Sequence, residues 1–168
     1  LPPAERFSRR VILKVSKIEK VEQHPGGAFL YILTLNTGDA EPRQIVSSIV
    51  PFYKAEELLG KNIVLVYNLK PANFRGVRSN GMLLAASDPA VTDKETCEVI
   101  FAPQFEVGTI LEPEGFSAPE EELCFVKADK FAEMGLHTKS GFVEIDGKKI
   151  GANGKFLTVE LYKDGKVK

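Results

Sequence analysis

Hydrophobic and polar positions alternate over several short stretches in the first half of this chain. From Val11 onward every second residue is hydrophobic, the phase slips at Ser16 and Lys17, and the alternation resumes at Ile18. Successive side chains of a strand point to opposite faces. The pattern therefore predicts one long strand over residues 11–22 with a bend or bulge near its middle.

Four further strands and one short helix are predicted in the next part of the chain. Hydrophobic runs bounded by turn residues place these strands at residues 30–35, 44–50, 62–67 and 81–87. Residues 53–59 have the composition of one or two helical turns, with Gly60 as their stop. Five short strands with a small helix between the third and fourth is the element order of an OB-fold, a small Greek-key barrel.

The second part of the chain predicts a smaller α+β module. Residues 117–120 have the S-x-x-E pattern of a capping box at a helix start, and Gly135 is the expected end of that helix. The hydrophobic residues that suggest this helix are Leu123, Val126, Phe131 and Met134. Asp146-Gly147 is a strong turn signal for a hairpin over residues 142–150, and residues 156–161 predict a last strand.

The expected fold class is therefore mainly β, with a five-stranded OB-fold barrel followed by a small α+β module packed against it. Residues 11–97 are assigned to the barrel and residues 98–168 to the module. Residues 1–10 lack an initiator Met and begin like the end of a linker, so we expect a linker remnant and an excised piece of a longer chain.

The segment from Asn68 to Asn80, between the fourth and fifth strands, is the most informative part of the chain for function. No Asp or Glu occurs between Leu58 and Ser87, whereas this window contains Lys61, Lys70, Arg75 and Arg78. OB-folds commonly take oligonucleotides on this loop and on the loop between strands one and two. Because the net charge of the chain is −1, phosphate binding would have to come from such a local patch.

Motifs for catalysis or metal binding are not found in the sequence. Cys97, Cys124, His24 and His137 lack zinc-ligand spacing, and the two thiols are expected to be reduced and buried, as in an intracellular protein. No P-loop, dinucleotide fingerprint or catalytic triad is recognisable, and no apolar stretch approaches membrane-spanning length. We therefore expect no catalytic residue, no cofactor, no metal ion and no membrane partner.

Several short motifs together carry a family resemblance. They are His24-Pro25, Leu30-Tyr31, the run from Arg43 to Ser47, Asn68-Leu69-Lys70-Pro71, Arg75-Gly76 and Ser79-Asn80-Gly81-Met82. With them, residues 11–86 resemble the tRNA-binding OB domain that is appended to some aminoacyl-tRNA synthetases or occurs in free-standing tRNA-binding cofactors. The resemblance continues through Ile100-Phe101-Ala102-Pro103 and Leu136-His137-Thr138, which are similar to endothelial monocyte-activating polypeptide II and to the C-terminal domain of animal tyrosyl-tRNA synthetase.

The resemblance implies a non-catalytic domain that binds the outer corner of tRNA with little sequence specificity. Such a domain raises the tRNA affinity of an aminoacyl-tRNA synthetase that is attached in cis or bound in trans. In this family the second module mimics a dimer interface, so a cytoplasmic monomer is expected. Two alternatives stay open: a cytokine-like signalling module, whose heptapeptide is only partly present at residues 14–20, and a module that assembles synthetase complexes.

The residues expected to bind tRNA are Lys14, Lys17, Asn68, Lys70, Arg75, Arg78, Ser79, Asn80 and Met82. Lys70 and Arg75 are assigned to phosphates, and the amide and hydroxyl side chains to sugars or base edges. Lys14 and Lys17 lie on opposite phases of the first strand or straddle its bend, so at most one of them is expected to face RNA.

Three apolar residues leave alternatives open. Met82 either packs on a base or belongs to the core of the barrel. Phe74 and Tyr31 are both candidates for base stacking, although Tyr31 fits a place in the barrel wall better.

Overall fold

The computed structural model describes residues 1–92, 95–118 and 124–168. The first part of the chain contains α1 (Pro3–Arg10), β1 (Leu13–Gln23), β2 (Tyr31–Asn36), β3 (Arg43–Ser47), α2 (Ala55–Leu58), β4 (Asn62–Val66), β5 (Ala72–Phe74), β6 (Val77–Ser79), β7 (Met82–Leu83) and β8 (Ala85–Ser87). The second part contains β9 (Glu98–Val99), β10 (Ile110–Pro113), α3 (Ala128–Ala132), β11 (His137–Lys139), β12 (Phe142–Ile145), β13 (Lys148–Ala152), β14 (Lys155–Phe156) and β15 (Lys166–Val167).

The long strand β1 organises the barrel because it pairs with three others. Its first half is antiparallel to β4 and β10, and its second half is antiparallel to β2, which in turn pairs with β3. The register shifts between Ile18 and Lys20, which confirms the bulge predicted for this strand, two to three residues after the expected phase slip. With β7 paired to β4, these strands form a curled antiparallel sheet. The mainly β, OB-like fold class is thus confirmed.

Two hydrophobic cores lie on opposite sides of this curled sheet. The barrel core fills its inside and consists of Ile18, Tyr31, Leu33, Leu35, Ile45, Ile49, Leu58, Ile63, Leu65, Leu83 and Val99. The outer core includes Leu13, Val15, Val64 and Val66 from β1 and β4, Phe7 from α1, and Phe131, Val143, Ile145 and Ile150 from the second module. Tyr31 therefore belongs to the barrel wall, as the preferred alternative stated, and its hydroxyl donates to the carbonyl oxygen of Tyr53.

Residues 3–10 are not the end of a linker, because they form helix α1 and pack into the outer core. Ala4 and Phe7 are almost completely buried, and the ring centroids of Phe7 and Phe131 lie 6.2 Å apart. These positions recur at helical spacing, so one face of α1 is apolar and needs a partner. Proline at Pro3 suits the first helical turn, where its missing N–H costs little.

The second module continues the sheet through β10, which lies between β1 and β13. The predicted hairpin is confirmed as β12 and β13, joined by Asp146 and Gly147 with φ of 51° and 74°, the pattern of a type I′ turn. Among the described residues of the predicted helix, Ala128–Ala132 are helical, and the expected stop at Gly135 has a φ of 88°. The capping-box residues 119–120, and the position of Leu123, lie outside the described residues. Of the predicted last strand, residues 156–161, only Phe156 lies in a strand, at the end of β14, and Thr158 forms an isolated bridge to Phe142.

Candidate nucleic-acid interface

The segment predicted as a cationic loop is a β-hairpin that stands on the barrel. Strands β5 and β6 pair from Ala72↔Ser79 to Phe74↔Val77, and the turn consists of Arg75 and Gly76. Their φ angles of 49° and 85° match a type I′ turn, in which both central residues are left-handed. Asparagine or glycine would suit the first turn position better than arginine. An exposed arginine at a conformationally unfavourable hairpin tip indicates a functional constraint on that side chain.

Hydrogen bonds dock the base of this hairpin onto strand β3. The Ser79 hydroxyl accepts from the Val46 N–H (2.9 Å) and donates to the Gly81 carbonyl oxygen (3.0 Å). The Gln44 side chain donates to the Arg78 carbonyl oxygen at 2.9 Å. Ser79 is only 2% exposed, and its hydroxyl already donates once and accepts once within the protein, so the structure favours a role in holding the hairpin over the predicted RNA contact.

A buried histidine joins the hairpin to the loop between β1 and β2. His24 is 3% exposed, and its Nδ1 accepts from the Gly26 N–H at 2.9 Å. Because Nδ1 is the acceptor, the proton of the neutral ring lies on Nε2, which donates to the Phe74 carbonyl oxygen at 2.9 Å. The two loops that OB-folds use for oligonucleotides are thus fixed to each other. This link could not be found from sequence because its partners are 50 residues apart.

Asn68 connects the barrel to the rest of the chain, which favours a structural role over its predicted role as an RNA contact. It is 5% exposed, and its Oδ1 accepts from the Ile12 N–H at 2.9 Å. Its Nδ2 donates to the carbonyl oxygens of Arg10 (2.8 Å) and Cys124 (3.0 Å). Every hydrogen-bonding atom of this side chain therefore has a protein partner, and none is left for a sugar or a base.

Lys14 is also used within the protein, whereas Lys17 is exposed. The Lys14 ammonium lies 3.1 Å from the Asp39 carboxylate and 4.5 Å from the centre of the Tyr67 ring. The guanidinium of Arg43 lies 3.9 Å from the centre of the same ring, so two cations contact one tyrosine. The Tyr67 hydroxyl in turn donates to Asp39. Of the two lysines, Lys17 therefore stays the candidate for the predicted RNA contact.

The Asp39 carboxylate is strongly stabilised in its charged form. The hydrogen bond from Tyr67, supported by Thr37 and Lys14, lowers the pKa of Asp39 from its ordinary 3.8 to about 2. The same hydrogen bond, with partial burial, raises the pKa of Tyr67. Asp39 is therefore ionised and neutralises one of the two nearby cations. The cluster contributes contacts within the barrel and little net positive charge for binding a phosphate.

The predicted site residues that stay accessible are mostly cations. Lys17, Lys70, Arg75 and Arg78 are exposed. Asn80 is half-buried, and its Oδ1 accepts from the Arg78 Nε at 3.1 Å, so it positions the guanidinium as well as facing solvent. Met82 is half-buried and packs against the outer core, which favours the packing alternative.

Strand register adds two residues that the sequence did not single out. Lys20 pairs with Thr34, and Thr34 pairs with Gln44, so all three lie in one row on the outer face of β1, β2 and β3. Lys20 and Gln44 are exposed, and Lys20 forms an ion pair with Glu22. The bulge after Ile18 puts Lys20 on this face, so its position depends on a register shift that alternation alone does not locate.

Within the described ranges, no three His, Cys, Asp or Glu side chains are grouped as metal ligands would be. In the same part of the chain, no helix has the length and apolar character needed to cross a membrane. Cys97 is half-buried, and burial raises its pKa to about 11. Very little of this thiol is therefore in the reactive thiolate form near neutral pH. Cys124 is exposed, contrary to the expectation that both thiols are buried, and neither forms a disulfide.

A β-barrel with a rigid cationic hairpin at its oligonucleotide-binding loops defines a nucleic-acid-binding module. Residues 13–110, more than half of the chain, match the family described as "Putative tRNA binding domain". The chain therefore belongs to this tRNA-binding domain family. The match confirms the resemblance seen in the sequence and agrees with the expectation of a non-catalytic domain.

Relatives that match along nearly the whole chain include methionine–tRNA ligases of two Treponema species. The chain is 40% identical over 175 residues to the ligase of Treponema denticola, which covers 98% of the chain but 22% of the ligase. It is 34% identical over 164 residues to the ligase of Treponema pallidum, covering 96% of the chain and 20% of the ligase. The chain thus spans about a fifth of the length of these relatives.

Solved structures show the same architecture. The C-terminal domain of Plasmodium vivax p43 superposes with a TM-score of 0.83 at 27% identity and covers 98% of this chain and 99% of that domain. A MetRS-related protein of Pyrococcus horikoshii has a TM-score of 0.53 at 34% identity and covers 60% of this chain and 88% of its own. The first similarity extends over both the barrel and the second module.

Proposed function

We propose that this chain captures tRNA for a methionine–tRNA ligase to which it is attached, with the hairpin of β5 and β6 as the principal contact. The observation that carries the proposal is the hairpin itself. Its tip holds Arg75 outward, Arg78 and Lys70 are exposed beside it, and no acidic residue occurs between Leu58 and Ser87. The match to ligases along nearly the whole chain supports the identity of the parent protein.

The mechanism we propose is electrostatic capture of the phosphate backbone. Exposed Lys and Arg side chains displace counterions from the nucleic acid, which gives affinity with little sequence preference and a strong dependence on salt. Because His24 and Ser79 hold the hairpin in one orientation, binding does not have to order the hairpin backbone, and only the cationic side chains lose freedom. Attachment to a catalytic domain would then raise the local tRNA concentration there.

Three finer statements are part of the same proposal. The domain acts in the cytoplasm, where tRNA is charged, and it contributes no chemical step. It is a monomer, because the outer face of β1 and β4 is already covered by its own second module. No observation on this chain favours the cytokine alternative, and the synthetase-assembly alternative predicts a stable protein partner instead of tRNA binding.

The test is a titration of unfractionated tRNA against the domain at two salt concentrations, with duplex DNA as the comparison. We expect tRNA binding that weakens steeply with salt. Replacing both Lys70 and Arg75 by Ala should weaken it and reduce the salt slope by about two, because each cation that pairs with a phosphate contributes roughly one. Lys148→Ala, at an exposed lysine of the second module, is the matched control and should bind like the unaltered chain. Unchanged binding by the double variant would refute the site.

A further inference from the structure

Three phenylalanine side chains are exposed although this chain has two hydrophobic cores to receive them. Phe29 is 67% exposed, Phe74 is 41% exposed and Phe125 is 66% exposed, whereas the other phenylalanines are buried or half-buried. Single exposed apolar residues are common on protein surfaces and need no explanation. Their positions, however, are not scattered: Phe74 lies in the cationic hairpin, Phe29 lies in the loop that His24 joins to it, and Phe125 is next to Val126, whose backbone bonds to Asn68 and Lys70.

Phe29 and Phe74 belong to the two loops that His24 joins. Phe74 is the last residue of β5, next to Arg75, and its carbonyl oxygen is the acceptor of the His24 hydrogen bond. Phe29 lies in the loop between β1 and β2, whose first residue is His24. The histidine therefore fixes the backbones that carry these two rings relative to each other.

Phe125 is held near Asn68 and Lys70, at the start of the segment from Asn68 to Asn80. Its neighbour Val126 donates its N–H to the Asn68 carbonyl oxygen at 2.9 Å and accepts from the Lys70 N–H at 2.8 Å. The backbone of residue 124 is fixed as well, since its carbonyl oxygen accepts from the Asn68 side chain. Phe125, which belongs to the second module, is thus anchored close to Lys70 of the barrel.

Rings and cations in one place define the chemistry of the ligand. A partner that satisfies Lys70, Arg75 and Arg78 must be anionic, and one that covers exposed phenylalanine rings must also present flat apolar faces. Unpaired nucleotides combine both, with phosphates for the cations and bases for stacking on the rings. Duplex backbone alone offers no base faces, and an acidic protein segment offers no regular series of flat rings.

We propose that Phe29, Phe74 and Phe125 are stacking platforms for unpaired bases of RNA, so that the domain selects RNA with splayed, single-stranded nucleotides over a uniform duplex. The proposal rests on the RNA-binding function proposed above and adds to it the structural class of RNA that the site takes. Stacking on aromatic rings is tolerant of base identity, so it is compatible with weak sequence preference.

The chain contains no tryptophan, which makes a direct test available. Each of the variants Phe29→Trp, Phe74→Trp and Phe125→Trp places a single indole at one platform, and Leu161→Trp places one at an exposed apolar position of the second module as the matched control. On titration with tRNA, the three platform variants should bind at least as tightly as the unaltered chain and lose indole fluorescence as bases stack on the ring. The control should bind equally but keep its fluorescence.

A second measurement separates stacking from charge. Phe74→Ala and Phe125→Ala should weaken tRNA binding about five-fold or more at every salt concentration, because one stacked base contributes about 5- to 150-fold to affinity. They should leave the salt slope unchanged, whereas loss of Lys70 and Arg75 reduces it. Affinities are compared after thermal melting has shown that each variant is folded.

The outcomes distinguish the two proposals. If the unaltered chain fails to bind tRNA, the proposed function is wrong and the platforms have no role in it. If the unaltered chain binds and depends on Lys70 and Arg75, but the alanine variants bind normally and the tryptophan variants are not quenched, only the stacking proposal is overturned. Quenching by a protein partner but not by tRNA would assign the three rings to protein docking and overturn it equally.

Discussion

The imidazole Nε2 of His24 lies 2.9 Å from the carbonyl oxygen of Phe74, and this one hydrogen bond joins the two loops at the nucleic-acid end of the barrel. The histidine is buried and its second nitrogen is occupied by Gly26, so the ring cannot turn away without breaking both hydrogen bonds. The position of the cationic hairpin is therefore set by a residue that does not itself face the ligand.

Replacing His24 by Ala is expected to loosen the hairpin. The substitution leaves the Phe74 carbonyl and the Gly26 N–H without partners, which should reduce the free energy of unfolding by about 1–3 kcal/mol. Hydrogen exchange should show faster exchange in residues 72–79 than elsewhere in the barrel. An unchanged exchange rate in this segment would mean that docking onto β3 is enough to hold the hairpin. His137→Ala, at a histidine of the second module, is the control for a general loss of stability.

Arg75 offers a substitution that separates binding from folding. Its φ of 49° is costly for most side chains but is tolerated by asparagine. Arg75→Asn should therefore leave the free energy of unfolding unchanged or raise it by up to about 1 kcal/mol, and yet weaken tRNA binding and lower its salt slope by about one. Urea denaturation and tRNA titration at two salt concentrations measure the two effects. Full tRNA affinity in the stable variant would remove Arg75 from the site.

Asn68 is expected to behave as a structural residue. Asn68→Ala removes three hydrogen bonds to backbone groups that lie far apart in the sequence, and should cost about 2–4 kcal/mol in the free energy of unfolding. Asn73→Ala, at an exposed position of β5, is the matched control and should cost little. In solutions where both variants are folded, Asn68→Ala should keep the salt slope of the unaltered chain, and any loss of affinity should disappear when Phe125→Ala is the background, because Asn68 acts by holding the backbone of residue 124. An affinity loss that persists in the Phe125→Ala background would restore the original assignment.

Asp39 predicts a specific acid sensitivity. Its pKa is about 2 in the folded chain and 3.8 ordinarily, so the folded state binds this proton less readily. The carboxylate therefore stabilises the fold above about pH 4, and this contribution is lost as the pH falls from about 4 to 2. Tyr67→Phe keeps the ring between Lys14 and Arg43 but removes the hydroxyl, and should move the pKa of Asp39 back towards 3.8. Carboxyl NMR titration measures this, and an unmoved pKa would assign the effect to Lys14 and Thr37.

The strands were predictable wherever local pattern and turn chemistry agree. Asp146-Gly147 indicated the hairpin of β12 and β13 because these residues suit left-handed angles. Arg75-Gly76 forms the same kind of turn, but arginine is rarely found at such an angle, so the segment looked like an open loop. The bulge in β1 was predictable as a change of phase but not to the residue, since pairing with β2 and β4 fixes where it falls.

The site was predictable as a cationic segment but not residue by residue. Asn68 and Ser79 look like RNA contacts in the sequence because polar side chains in a basic loop suggest recognition. Their real partners, Ile12 and Val46 among them, are 56 and 33 positions away, and no local signal reports such distances. Lys14 likewise forms an ion pair with Asp39, which lies 25 positions further along the chain.

The helix α1 was missed for a related reason. Eight residues that begin with proline and carry several charges have little intrinsic tendency to form a helix in isolation. Phe131 and its neighbours supply the partner for the apolar face, and they come from the far end of the sequence.

The outer core has a consequence for how this protein can be divided. Valines on the outward faces of β1 and β4 are covered by Ile145 and Ile150 of the second module, so both halves share one dry interior. Cleavage near residue 97 would expose these valines to solvent, and the resulting apolar patch on the barrel would favour self-association. The barrel of this chain therefore depends on the second module to cover this apolar surface.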